Sequence, residues 1–161
     1  MKAILPAIFA GFFVSASCSR ADSRATSKES TVEGVSSMAA AIARDLHNEG
    51  PNAWLRYFGR SPGFFMASDG AIAFPNNDSA TVFVNALAKS TKRIELQWDT
   101  LRIDSLAPGV AQLAARFDEV LTDTAGRDAK FSGYFTGVAV RGDSGWTLRN
   151  AHWSIVHAKS Q

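Results

Sequence analysis

Gly133-Tyr134-Phe135-Thr136-Gly137-Val138-Ala139-Val140 passes through Arg141-Gly142-Asp143-Ser144-Gly145 into Trp146-Thr147-Leu148-Arg149-Asn150-Ala151-His152-Trp153-Ser154. Apolar residues alternate along both arms and the loop between them is rich in Gly, Asp and Ser, so this stretch predicts a long antiparallel hairpin. Unbroken alternation along the second arm places Trp146, Leu148, Asn150, His152 and Ser154 on one face. On that reading the aliphatic end seals a core and the polar end looks into a cavity. Thr147, Arg149, Ala151, Trp153 and Ile155 then face outward, where mixed apolar and polar groups suit an interface.

The strands before the hairpin carry the same period. Ile94, Leu96 and Trp98 point one way, but the apolar phase slips to Leu101 and Ile103, as a bulge near Asp99 and Thr100 would cause. A sharp bend in that strand is the consequence. Ala107-Pro108-Gly109 turns the chain into Leu113, Ala115 and Phe117, which alternate with Ala114, Arg116 and Asp118.

Upstream the period is helical. Ser30 followed by Glu33 has the form of a capping box, and Val32, Val35, Met38, Ala39, Ile42 and Leu46 recur at helical spacing up to a stop at Asn48 and Gly50. Pro51 opens a second, shorter helix with Ala53, Trp54, Tyr57 and Phe58 on its apolar side. Phe64–Ala67 and Ala71–Phe74 flank a Ser68-Asp69-Gly70 turn, and Asn76, Asn77 and Asp78 offer caps for a third helix that carries Ala80, Phe83 and Leu87 inward. Three helices followed by a bent antiparallel sheet make an α+β plan: a cone-shaped sheet with the helices closed over its concave side.

Lys2 precedes an apolar run from Ala3 to Val14, and Ser15, Ala16 and Ser17 are small, the layout of an export signal over residues 1–17. The run is shorter than the ~20 apolar residues a membrane-crossing helix needs. Cys18, the single cysteine, follows directly, which resembles a bacterial lipoprotein signal with Cys18 as the lipidated residue. Residues 18–30 read as a flexible tether and 31–161 as one domain. The expected location is therefore the periplasm or, through a lipid anchor, the membrane surface.

Of 161 residues, 17 are Lys or Arg and 15 Asp or Glu, interspersed, so no basic stripe favours nucleic acid as a partner. One cysteine excludes an internal disulfide, and no two histidines stand at metal-pairing spacing, so neither a metal nor another cofactor is expected.

The order of elements, the Phe135–Val140 strand end, the acidic Gly turn and Gly145-Trp146 leading to His152-Trp153-Ser154 resemble the nuclear transport factor 2-like superfamily, in its SnoaL-like branch. The resemblance implies a cone with a cavity between sheet and helices. It also implies a homodimer, and functions ranging over isomerases, dehydratases, binding proteins and structural modules. Isomerase relatives carry an aspartate before a proline after the first short strand, where this chain has Phe74 before Pro75. Dehydratase relatives use several histidines, and only His152 here lies on a strand read as inward.

His152 is accordingly the candidate proton-transfer residue, since imidazole changes charge near neutrality. The bland alternative is a histidine satisfied by its neighbours. Trp54, Tyr57, Trp98, Phe117 and Tyr134, with Asn150 and His152, form the candidate ligand-binding set, each ring being equally explicable as core. Arg116, Asp118 and Glu119 read as outer-face charges, with the proviso that a carboxylate turned inward would be a functional hint. Three functions remain from the sequence: a cavity binding a small apolar or amphipathic molecule, a lyase or isomerase using His152, and a dimerisation or docking module.

Overall fold

A computed structural model of the chain describes residues 19–156, with side chains described from Lys28 onward. The export signal read over 1–17, the lipidation candidate Cys18 and His157 lie outside the described residues. No helix among the described residues is long and apolar enough to cross a membrane.

Helix α1 runs Ser19–Glu49, so the described part of the stretch read as a tether is helical and Ser30 lies inside the helix rather than capping it. Residues 19–33 contain no Gly or Pro, and beside four Ser and two Thr they hold seven Ala, Arg, Lys or Glu residues, which favour helix without an apolar period. The buried stripe is the expected one: Val35, Met38, Ala39, Ile42 and Leu46 are all in the core. Gly50 adopts φ 78° and donates its N–H to the Leu46 carbonyl at 2.9 Å, which closes the helix with the left-handed residue that glycine tolerates best. Pro51 then starts a 3₁₀ helix, Pro51–Arg56. After it come β1 (Phe65–Ser68) and β2 (Ala71–Phe74), with Asp69 at φ 47° and Gly70 at φ 85° in a left-handed two-residue turn. Helix α2, Asn77–Ser90, opens on a capping box in which the Asn76 side chain accepts from the Ser79 N–H and Ser79 Oγ accepts from the Asn76 N–H.

The long strands are β3 (Thr91–Ala107), β4 (Val110–Asp123), β5 (Asp128–Gly142) and β6 (Gly145–Ile155). They form one curled, unclosed sheet of six strands in the order β2-β1-β6-β5-β4-β3. Every pairing is antiparallel except β1 with β6. The expected bulge is present: β3 carries an extra residue between Asp99 and Arg102, with Thr100 at φ 54°. The strand bends there, and Leu101 and Ile103 regain the core side.

A second bulge was not anticipated. In β6, Val138 pairs with Asn150 while Ala139 pairs with Leu148, so Arg149 is the extra residue and the phase flips behind it. Its cause lies on the other edge of β6. Leu148 bonds to the segment around Phe58, its carbonyl accepting from the Gly59 N–H and its N–H donating to the Tyr57 carbonyl, both 2.7 Å, before β1 takes over that edge at Asn150. Leu148, Ala151, Trp153 and Ile155 therefore face the helices. Asn150, His152 and Ser154 face the convex side.

Candidate functional site

The concave face of the cone is mostly filled. Phe135 is fully buried against Trp98, at 5.3 Å between ring centres, and against Trp153, at 4.5 Å and 67°. Phe117 is fully buried in the same core, and the Trp98 indole N–H donates to the Ala39 carbonyl of α1 at 2.9 Å. These three rings are structural.

At the end of the cone roofed by α2 the filling stops. A cavity of about 360 Å³ opens among Trp54 and Phe58, the short hairpin β1–β2, the α2 residues Phe83, Val84 and Leu87, and the sheet residues Ile94, Glu119, Trp153 and Ile155. Such a volume lies at the small end of ligand-binding pockets, so it suits a compact molecule. Trp54 and Trp153 meet edge to face at 5.3 Å and 84°, giving the cavity an aromatic corner. Phe83 is half exposed and packs on Phe74 at 5.1 Å, which makes the mouth apolar too.

Two polar side chains break this apolar wall, Ser68 and Glu119. The Ser68 hydroxyl donates to Asp69 Oδ2 at 3.2 Å. Glu119 sits on the inward-facing series of β4, two residues beyond buried Phe117, opposite buried Leu96 of β3 and Phe131 of β5. Among the described residues it has no hydrogen-bond or ion-pair partner. Burial alone pushes its carboxyl up to about 7, because a charged oxygen loses hydration there without compensation. Both protonation states are then populated near neutrality. Arg116 and Asp118, grouped with Glu119 in the sequence, face the other side as an exposed pair 4.0 Å apart, which contributes little.

Of the expected ligand-binding residues, only Trp54 lines this cavity. Tyr57 donates its hydroxyl to Asp45 Oδ2 at 2.5 Å, and Arg56 bridges Asp45 and Glu49, so Tyr57 belongs to a clamp between α1 and the 3₁₀ helix. Tyr134 lies on the convex face, half exposed. Asn150 and His152, turned outward by the Arg149 bulge, line a shallow hollow on that same face with Phe65, Gln112 and Thr136. His152 thus has no access to the concave cavity, whose lining includes Glu119 instead. The missed signal was in the sequence: Trp146 and Leu148, then Ala151, Trp153 and Ile155, slip phase just as Trp98 and Leu101 do. Among the described residues no group of three His, Cys, Asp or Glu could hold a metal ion.

No protein-family model and no curated protein sequence matches the chain. Solved structures do. A protein assigned as a scytalone dehydratase from Novosphingobium aromaticivorans shares 11% identity and a TM-score of 0.71, over 85% of this chain and 92% of its own. A nuclear transport factor 2-like superfamily protein from Salmonella enterica shares 16% identity and a TM-score of 0.64, over 84% and 95%. A protein assigned as a dehydratase of the same family from Streptomyces avermitilis shares 15% identity and a TM-score of 0.66, over 81% and 99%. The chain therefore has the nuclear transport factor 2-like fold, the α+β cone its sequence resembles.

Proposed function

We propose that this protein binds a compact, largely apolar molecule in the cavity between α2 and the sheet, in the setting of an exported cell-envelope protein. One observation carries the reading: an apolar hollow open at one end, with a single unpartnered carboxyl turned into it. A core that merely tolerated a gap would not be expected to place a carboxylate there, since an unpaired buried charge is costly. Export rests on the sequence, through Lys2, the Ala3–Val14 run and the small residues Ser15, Ala16 and Ser17.

Proton transfer on the bound molecule is a second reading, supported by the position of the Glu119 carboxyl near neutrality and by the dehydratase assignment of two structural neighbours. It would run through Glu119, not His152.

Native mass spectrometry of the purified protein and titration with an apolar fluorophore test the binding reading. A retained small molecule, or saturable fluorophore binding that Leu87→Trp weakens by about tenfold by filling the hollow, is expected. No retained mass together with no saturable binding, or binding that Leu87→Trp leaves intact, would sink it.

A further inference from the structure

The occupant's chemistry is readable from what surrounds Glu119. Across β3 the neighbouring inward side chains are Ile94 and Leu96, on β5 the partner is Phe131, and on β6 the inward residue is Ile155. None of these can neutralise a carboxylate. No Lys, Arg or His lines the cavity, and none of the described cations pairs with Glu119: Arg93 pairs with Glu95 at 3.0 Å, Arg116 lies beside Asp118, and Lys130, opposite Val120, borders a separate hollow behind Glu119. A carboxylate in an apolar cavity whose lining holds no cation is complementary to a cation supplied by a ligand.

The walls agree. The Trp54–Trp153 corner presents indole faces and edges to the same space, and an ammonium near such rings gains a further attraction that a neutral or anionic group does not. An anionic ligand would meet Glu119 as a like charge.

We propose that the cavity selects an apolar molecule bearing one basic nitrogen, whose ammonium pairs with the Glu119 carboxylate while its hydrocarbon body lies along Trp54, Phe58 and Trp153. The inference rests on the binding reading above and narrows it to a ligand class. Charge-assisted hydrogen bonds are roughly twice as strong as neutral ones, so the nitrogen should decide among ligands of equal size.

Phenethylamine, phenethyl alcohol and phenylacetate share one ring and one chain length and differ in the charge of the end group. Each is titrated into the purified protein at neutral pH, with calorimetry or the quenching of Trp54 and Trp153 as the readout. Phenethylamine should bind at least about tenfold more tightly than the alcohol, and phenylacetate most weakly. Glu119→Gln keeps the side-chain shape and removes the charge; it should bring the amine to the level of the alcohol measured in the same variant. Alcohol binding as tight as the amine's, or an amine preference that survives Glu119→Gln, overturns the inference and leaves the binding reading standing. Failure of phenethylamine to bind overturns the inference, and the binding reading falls with it only if the fluorophore and native mass spectrometry also show no binding.

Discussion

Glu119 stands directly across the β3–β4 ladder from Leu96, so a carboxyl occupies the face that Ile94, Leu96, Phe117 and Leu121 fill with hydrocarbon. Local β-structure holds it there. With Phe117 buried two residues earlier, alternation leaves no way to turn Glu119 outward short of another bulge.

That placement sets a pH dependence. A carboxyl whose ordinary value is 4.5 and which titrates near 7 when folded binds its proton more tightly in the native state. Its contribution to stability is fully present below about 4.5 and is lost as pH rises to 7, on the order of 3 kcal/mol in all. Asp45, held down to about 2 by the Tyr57 hydroxyl and then by Arg56, acts in the opposite direction and only as pH falls below its ordinary 3.8. Urea unfolding of the wild type from pH 5 to 8 should show the decline, and Glu119→Gln should flatten it, being more stable than wild type at pH 8. Parallel pH profiles for the two proteins would contradict the assignment.

His152 faces the convex side, so His152→Ala should leave binding in the concave cavity within about twofold of wild type. Asn150→Ala should behave alike. The same apolar probe titrated into each variant checks this, and a large loss for either would mean that the two faces communicate.

The Trp98 N–H to Ala39 carbonyl bond ties β3 to α1. Trp98→Phe keeps a ring against Phe135 and deletes the donor, so a loss of about 1 kcal/mol is expected from denaturant unfolding. A neutral result would show that α1 is held by its buried stripe alone.

Gly34 lies under the indole of Trp146, close enough that a Cβ would overlap Nε1. In an open helix, Gly→Ala would stabilise, but here Gly34→Ala must push Trp146 off its seat and should cost roughly 1–3 kcal/mol. A stabilised Gly34→Ala variant would show that Trp146 repacks freely.

Much of this architecture follows from the sequence alone. The helical stripe from Val35 to Leu46, the Gly50-Pro51 boundary, the Asn76 cap, the bend near Thr100 and the final hairpin are local patterns, written in residue spacing and turn chemistry. The direction in which His152 and Trp153 point was not settled so simply. It depends on Arg149 being looped out where Leu148 shares its edge with Tyr57 and Gly59, a contact between segments some ninety residues apart that strand alternation cannot encode. Glu119 was visible as a residue that would matter if it turned inward. Only the tertiary structure showed that it does, and that the space before it is empty, because cavity and desolvation are properties of what packs around a side chain rather than of its place in the chain.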